Sequence, residues 1–369
     1  MPNYSGKTCP HLLLPFGIAL ALLLLPAALL AAQTASSPTS LANETAVDVQ
    51  QDLALLPSGV LVALKSGQAL ESWGTFSQVV GSSKAGCGVL RSGGATCWNR
   101  DGQPVAMERL GQVASIAGSL EAGCAARQDG RVICWDHAER DPPAGPVERE
   151  REPILFPDLD NRGPKMIPPL RYRELPELTD VVAVTGYRDG CALHRSGRIS
   201  CWGERFSSRS PSRLFHDAKP YRVPGLSHVR QVVQDGHTRC AVDDGGRVFC
   251  WGGRFVTWIS TAAWWEAPFD EAPRRVPGIS DAVQVAISKT AESACAVRKT
   301  GQVVCWGIQA CGPRRSPQPR TMPDLKDVSR VSFSFPEICA VHRKGGFSCW
   351  RGCSLGENRI EPASLAAPR

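Results

Sequence analysis

Twelve of the fifteen cysteines stand in pairs ten residues apart, and sulfur at that spacing has two chemistries open to it, metal ligation and disulfide formation. The frame reads "CGVLRSGGATCWN" from Cys87, "CAARQDGRVICWD" from Cys124, "CALHRSGRISCWG" from Cys191, "CAVDDGGRVFCWG" from Cys240, "CAVRKTGQVVCWG" from Cys295 and "CAVHRKGGFSCWRG" from Cys339. Structural zinc sites take ligands two to four residues apart, so a nine-residue gap repeated six times is not that pattern, and no metal is expected. A symmetric hairpin suits the spacing. Stepping outward from Thr300 pairs Lys299 with Gly301, Val297 with Val303 and Cys295 with Cys305, which makes the cysteines direct cross-strand neighbours. Opposed residues of a non-hydrogen-bonded antiparallel pair have Cα atoms about 4.5 Å apart, within reach of a disulfide. The expected bridges are Cys87–Cys97, Cys124–Cys134, Cys191–Cys201, Cys240–Cys250, Cys295–Cys305 and Cys339–Cys349. A loop this short contributes about 3 kcal/mol per bridge in the chain-entropy picture.

The residues between and around the cysteines supply the elements that must position them. Ser92-Gly93, Asp129-Gly130, Ser196-Gly197, Gly245-Gly246, Thr300-Gly301 and Gly345-Gly346 tolerate positive φ and form the turns. Upstream lies a second cassette, "LPELTDVVAV" from Leu175, "VPGLSHVRQV" from Val223, "VPGISDAVQV" from Val276 and "MPDLKDVSRV" from Met322, with weaker forms at Met107 and Thr75. Its proline opens a turn, its Leu or Ile buries, and its β-branched residues lead into a strand. Trp98, Trp135, Trp202, Trp251, Trp306 and Trp350 follow the second cysteine in register and belong to the core. A worn copy is read at "VALKSGQALESWG", Val62 to Gly74, with Val62 and Ser72 in the cysteine positions. Repetition over tens of residues marks stacked units, none of which buries its apolar faces alone.

The 43% hydrophobic content suffices for a large core, and 35 Gly with 29 Pro suit short strands and turns. At the start, Lys7 precedes the apolar run from Leu12 to Ala32, after which small and polar residues follow. That pattern reads as export, with an uncleaved membrane anchor as the alternative because the run is nearly long enough to span a bilayer. Export is consistent with disulfides, which persist in oxidising compartments.

A V-x-x-V strand followed by C-A-[LV]-x-x-[DST]-G-x-[VI]-x-C-W-G resembles the repeats of the regulator of chromosome condensation family, in the cysteine-bracketed form of exported bacterial members. The resemblance covers about Val47 to Arg359. It implies an all-β, seven-bladed β-propeller of four-stranded antiparallel blades, in which a strand near 47–56 completes a blade with the C-terminal segment. The chain then divides into a signal peptide or N-terminal anchor at 1–32, a flexible linker at 33–46, the propeller at 47–361 with a long insertion at about 136–174, and a tail at 362–369. Cys311 and Cys353 follow the tryptophans of adjacent blades 6 and 7 and are expected as a seventh bridge, leaving Cys9. After Trp-Gly the chain departs from the family's usual Asn and Gly-Gln-Leu-Gly turn, so no family contact residue maps onto it by position.

Two patterns could carry recognition. The hairpin tips gather Lys65, Arg91, Arg127, Arg131, His194, Arg195, Arg198, Arg247, Arg298, Lys299, Arg343 and Lys344, diluted by Asp129, Asp243 and Asp244. There Arg195, Arg298 and Arg343 are the candidates for holding an anionic polymer or acidic partner, the alternative being solvated turns. On the opposite face, "FVTWISTAAWWEAPF" places Trp258, Trp264 and Trp265 outside the repeat frame, as anchors for a protein or sugar or as a packed lid. The histidines are scattered, and neither a phosphate loop nor a nucleophile elbow occurs. The expectation is a monomeric, non-catalytic, exported scaffold, secreted, periplasmic or envelope-associated, that binds a protein or anionic polysaccharide and needs no cofactor. No nucleic-acid partner is expected. The resemblance also implies an alternative, guanine-nucleotide exchange on a small GTPase, as in nuclear members; a further alternative is an enzyme whose site is assembled from distant loops of the ring.

Overall fold

The computed structural model describes residues 46, 48–50, 52–64, 67–99, 104–137, 148–149, 154–155, 166–167, 170–186, 189–203, 219–235, 238–252, 272–288, 293–307, 316–323, 325–334, 337–344, 346–351 and 359–360. The chain outside them includes the apolar run from Leu12 to Ala32, the residues 362–369, Lys65, Cys9, Cys311, Cys353, Trp258, Trp264 and Trp265. No helix among the described residues is long and apolar enough to cross a membrane.

Seven sheets of four or five strands follow one another along the chain, six of them antiparallel meanders of consecutive strands, and Ile154–Leu155 pairs with Met166–Ile167 as a separate two-stranded sheet among the described residues. Blade 1 is Asp48–Gln50, Leu53–Leu55, Leu61–Ala63 and Gln68–Ala69. Blade 2 is Phe76–Ser82, Ala85–Leu90, Ala95–Trp98 and Val105–Ala106. Blade 3 is Val113–Gly118, Gly123–Arg127, Val132–His137 and Leu170–Glu174, with Glu148–Arg149 added outside as a fifth strand. Blade 4 is Val181–Gly186, Gly190–His194, Ile199–Trp202 and Tyr221–Arg222. Blade 5 is Val229–Asp235, Thr238–Asp243, Val248–Trp251 and Arg274–Arg275. Blade 6 is Ala282–Ile287, Ser293–Arg298, Val303–Gly307 and Ser316–Thr321. Blade 7 is Val328–Ser334, Glu337–His342, Phe347–Arg351 and Arg359–Ile360. First strands of successive blades lie against one another all the way round, the last against the first, so they line the axis of a closed seven-bladed propeller.

All six hairpin disulfides are formed, with the cysteines paired across the ladder and Cα atoms 3.9 to 4.1 Å apart. That separation belongs to the close, non-hydrogen-bonded kind of cross-strand pair. The tips are type I turns closed by a left-handed glycine: Gly301 N–H donates to Arg298 O, and Gly301 has φ +83°. Thr300 keeps negative φ, so of the Thr-Gly pair only the glycine uses the freedom expected of both.

Blades 2 to 6 each carry a cysteine face and a tryptophan face. Cys124 and Cys134 of blade 3 share one buried cluster with Leu175, Leu178 and Trp202 of blade 4, and Cys191 and Cys201 of blade 4 repeat this with Val223, Leu226 and Trp251 of blade 5. The same interlock joins Cys240 and Cys250 to Trp306, and Cys87 and Cys97 to Trp135. Opposite the tryptophan on the neighbouring strand stands Gly86, Gly123 or Gly190. A Cβ there would fall 2.1 to 2.8 Å from ring carbons of Trp98, Trp135 and Trp202.

The worn copy lies nine residues earlier than the Val62 to Gly74 frame. Leu53 opposes Ala63 where the other blades have cysteines, Gly59 is the tip, and Leu64 takes the tryptophan position. Trp73 instead ends the short 3₁₀ turn Glu71–Trp73 that leads into blade 2, with its ring centroid 5.0 Å from that of Trp98. The Trp-Gly dipeptide misled because it copies the motif by composition, whereas the "PSG" turn fixes the hairpin. Ring closure also differs from the expected strand exchange. Every blade is one continuous segment, and blade 7 meets blade 1 sideways, through a cluster of Ala46, Ala54, Cys339, Val341, Phe347 and Cys349 and an Asp48–Arg330 ion pair at 3.0 Å. The stretch at 136–174 is partly blade, since Asp136, His137 and 170–174 are paired strand.

Two hydrogen-bond series run around the ring. At six junctions the first residue of an inner strand donates its N–H to the tip-glycine carbonyl of the preceding blade, from Phe76 to Gly59 through Val328 to Gly301, at 2.7 to 3.0 Å. Nearer the axis, six inner strands share a bulge, and the residue after it reaches the next inner strand: Gln78 accepts from Ile116 N–H, Ser115 from Val184, Gln231 from Val285 and Gln284 from Val331. Arg330 in that position makes the ion pair to Asp48. Ala183 occupies it in blade 4 and breaks the series.

Two stability changes are expected. Gly246 has φ +80°, and a Cβ would lie 2.8 Å from Asp281 Cα, so Gly246→Ala should cost about 2 kcal/mol or more in denaturant unfolding of the oxidised protein. Ala183→Gln should complete the ladder to Val232 N–H and add about 1 kcal/mol; an unchanged or lowered midpoint would show that the series carries no net stabilisation.

Candidate functional site

In an antiparallel four-strand meander the second-to-third-strand tips share one face of the ring with the links between blades. The first-to-second-strand turns and the third-to-fourth-strand connections share the other. The sequence-derived candidates divide between these faces.

On the tip face, the third residue after the first cysteine is pinned to the lead-in of its own blade in blades 3, 4, 6 and 7, while in blade 5 Asp243 is held across its own tip by Arg247. Arg127 donates to the carbonyls of Leu110 and Arg109, each at 3.0 Å, and pairs with Glu174 at 2.9 Å. His194 sits between Thr179 O at 2.8 Å and Ser200 Oγ at 2.9 Å, and His342 repeats this with Lys326 O at 3.2 Å and Ser348 Oγ at 2.8 Å. Arg298, in the same place, pairs with Asp281 at 2.8 Å, both about three-quarters buried. Asp243 accepts from Arg247 at 2.6 Å and from its backbone N–H at 2.8 Å. This position is therefore a fastener of the fold.

The next residue faces outward. Arg195 is 71% exposed and meets Asp180 at 3.2 Å, while Arg343 donates to the Lys299 carbonyl of the neighbouring tip at 2.7 Å. Of the three candidate arginines, Arg195 and Arg343 thus share a repeat position, and Arg298 stands one residue earlier with its charge partly neutralised. Lys299, Lys344 and Asp244 complete the exposed charges around them. Arg91 is tied to the Pro57 carbonyl of blade 1.

The opposite face holds two buried guanidiniums that the sequence reading passed over. Arg171, on the outer strand of blade 3, makes a two-pronged pair with Asp136 at 3.0 and 3.2 Å. Arg239 stands where the other blades place Gly, Ala or Ile opposite the tryptophan, and is 5% exposed. Burial pulls its guanidinium below the ordinary arginine range, with Tyr221 and Asp189 of blade 4 acting in the opposite direction. The signal was present in the sequence: in "HTRCAV" an arginine fills a slot that is Gly, Ala or Ile in the other copies. The strands flanking Trp258, Trp264 and Trp265 end at Trp251 and resume at Arg274 on this face; the three tryptophans lie outside the described residues. Among the described residues no group of three or more His, Cys, Asp or Glu is placed to hold a metal ion.

No family model matches the sequence, and no curated protein matches it. Solved structures do. Prp20p from Saccharomyces cerevisiae, whose structure was described together with its binding properties to Gsp1p and histones, superposes with a TM-score of 0.55 at 14% identity, over 79% of this chain and 77% of that one. The fold is RCC1-like. Yeast RCC1 (Prp20) in its complex with Kap60 gives a TM-score of 0.54 at 14% identity, over 75% of this chain and 70% of that one. At this identity the likeness concerns the RCC1-like ring, and the sites rest on this chain's own residues.

The two arginine environments predict unequal losses. Arg298→Ala removes a half-desolvated pair and should lower stability by about 1 kcal/mol, whereas Arg195→Ala, at a largely exposed pair, should fall within a few tenths of zero, both measured by urea unfolding without reductant.

Proposed function

We propose that this protein is an exported, non-catalytic binding scaffold whose ring presents one face to a protein partner. The observation that carries the reading is the set of six formed disulfides, all buried within the blades. Bridges of this kind form and persist in oxidising compartments, which supports a site of action outside the cytoplasm and away from any cytoplasmic GTPase. Yeast RCC1 (Prp20), a structural neighbour, is bound to Kap60 in one structure and was described with its binding properties to Gsp1p and histones in another, which supports a protein partner.

The favoured face is the one opposite the tips, bearing the Trp258, Trp264 and Trp265 segment. The tip side chains are largely engaged in fastening lead-ins and neighbouring tips, and tryptophans outside the repeat frame have no place in the blade interlock. The second reading is an anionic envelope polymer held at the tips, favoured by the exposure of Arg195.

Salt separates them. A partner held by Arg195, Arg298 and Arg343 should be released as the Debye length falls from about 10 Å at 0.1 M to about 3 Å at 1 M, and a tryptophan-anchored one should stay bound. In pull-down from envelope and culture medium, Trp264→Ala with Trp265→Ala should abolish capture and reversal of the three arginines to Glu should spare it. Normal capture by both variants would refute both faces, and a cytosolic, reduced protein would refute export.

A further inference from the structure

We infer a third binding surface, on the outer rim of blades 4 to 6, suited to a linear polyanion. The outermost strands and their approaches carry Lys219, Arg222, Arg274, Arg275 and Arg320, and in 219–222, 272–275 and 316–321 there is no Asp or Glu. Arg222, Arg275 and Arg320 are exposed and make no ion pair among the described residues. They sit on three successive blades.

Register decides where these charges lie. Arg222 pairs across the ladder with Ser200, and Arg275 with Phe249, on the tryptophan face of blades 4 and 5. Arg320 pairs with Cys305, on the cysteine face of blade 6. The rim arginines therefore border the clefts between blades 3 and 4, 4 and 5, and 6 and 7, while Arg274, opposite Cys250, borders the cleft between 5 and 6. Arg198, exposed and two residues before Ser200, adds a second cation on the Arg222 side of blade 4.

Curvature selects the occupant. Each blade turns the rim by about a seventh of a circle, so cations on blades 4 to 6 face outward along an arc. A flat anionic membrane touches such an arc at one blade. A flexible chain of phosphates or carboxylates follows it and meets a guanidinium at each blade, a geometry that guanidinium recognises in pairs of hydrogen bonds. The formal net charge of +7 draws such a chain in from a distance. Arginines on an edge strand also prevent edge-to-edge sheet pairing, and that role alone would need only a charge of either sign.

The test uses the full-length oxidised protein and long-chain inorganic polyphosphate, with tripolyphosphate as a short control and anionic phospholipid vesicles as the flat surface. Expected are binding of the long chain at least tenfold tighter than the short one, no comparable vesicle binding, and at least tenfold loss in Arg222→Glu, Arg275→Glu, Arg320→Glu. The slope of log affinity against log salt should fall by about two to three units in that variant. Glu still guards the edge, so unchanged binding by the triple variant would leave the arginines as edge guards and overturn the proposal. Equal affinity for the short chain, or preferred binding to vesicles, would overturn it as well. Loss of polyphosphate binding on reversing Arg195, Arg298 and Arg343 instead would move the site to the tips, whereas partner capture on the opposite face is read independently.

Discussion

The structure depends on one contact: a disulfide on the face of one blade packed against the indole of the next. A four-stranded sheet of this size has two apolar faces and no other layer to bury them. The only partners available are its neighbours in the ring. Cross-linking the hairpin at its closest cross-strand pair keeps the cysteine face narrow and flat. The tryptophan brings the bulk, and the glycine across the ladder lets the indole lie down over the strand. In blades 2 to 4 the choices of Cys, Trp and Gly are thus one choice, made three times over.

Blade 1 shows what remains when that contact is lost. With Leu53 and Ala63 in the cysteine positions and Leu64 in the tryptophan position, it keeps the hairpin, the tip glycine and the bond from Phe76 N–H to Gly59 O. It therefore closes the ring with aliphatic groups of its own, packed on one side against the Cys339–Cys349 disulfide and Phe347 of blade 7 and on the other against Phe76 and Trp98 of blade 2, reinforced by Asp48 and Arg330. Arg330 occupies the position from which Gln78, Ser115, Gln231 and Gln284 reach the next inner strand elsewhere, and Asp48 lies on the inner strand it reaches, so the seam uses a charge pair where four other junctions use neutral hydrogen bonds. The 4–5 junction departs in a different way. It lacks a ladder residue at Ala183 and buries Arg239, whose charge Tyr221 and Asp189 of blade 4 support.

A ring fastened at the tips, at the axis and through its blade faces leaves little side-chain freedom near the hairpins. Arg127, His194, Arg298 and His342 look like functional diversity along the sequence, yet they do one job at one repeat position, fastening the lead-in, while Asp243 there holds Arg247 of its own tip. Away from the hairpins, Arg222, Arg275 and Arg320 on the outer strands are exposed and take no part in fastening among the described residues.

The sequence by itself determined the repeat, the hairpin, the disulfide pairing and the buried tryptophans, because these follow from local spacing: cysteines five steps either side of a turn must meet whatever surrounds them. Only the tertiary structure decided the register of the degenerate blade, since Trp73-Gly74 imitates the motif in type while the hairpin forms around Gly59. It alone decided that closure is lateral, because whether a strand is exchanged depends on which blade lies beside blade 7. It also decided which charges are available. Arg195 and Arg298 sit on similar tips in sequence, but the lead-in aspartate of each blade meets them at different depths. Whether an arginine is a fastener or a ligand-facing group depends on that neighbouring chain, which the spacing of the motif does not encode.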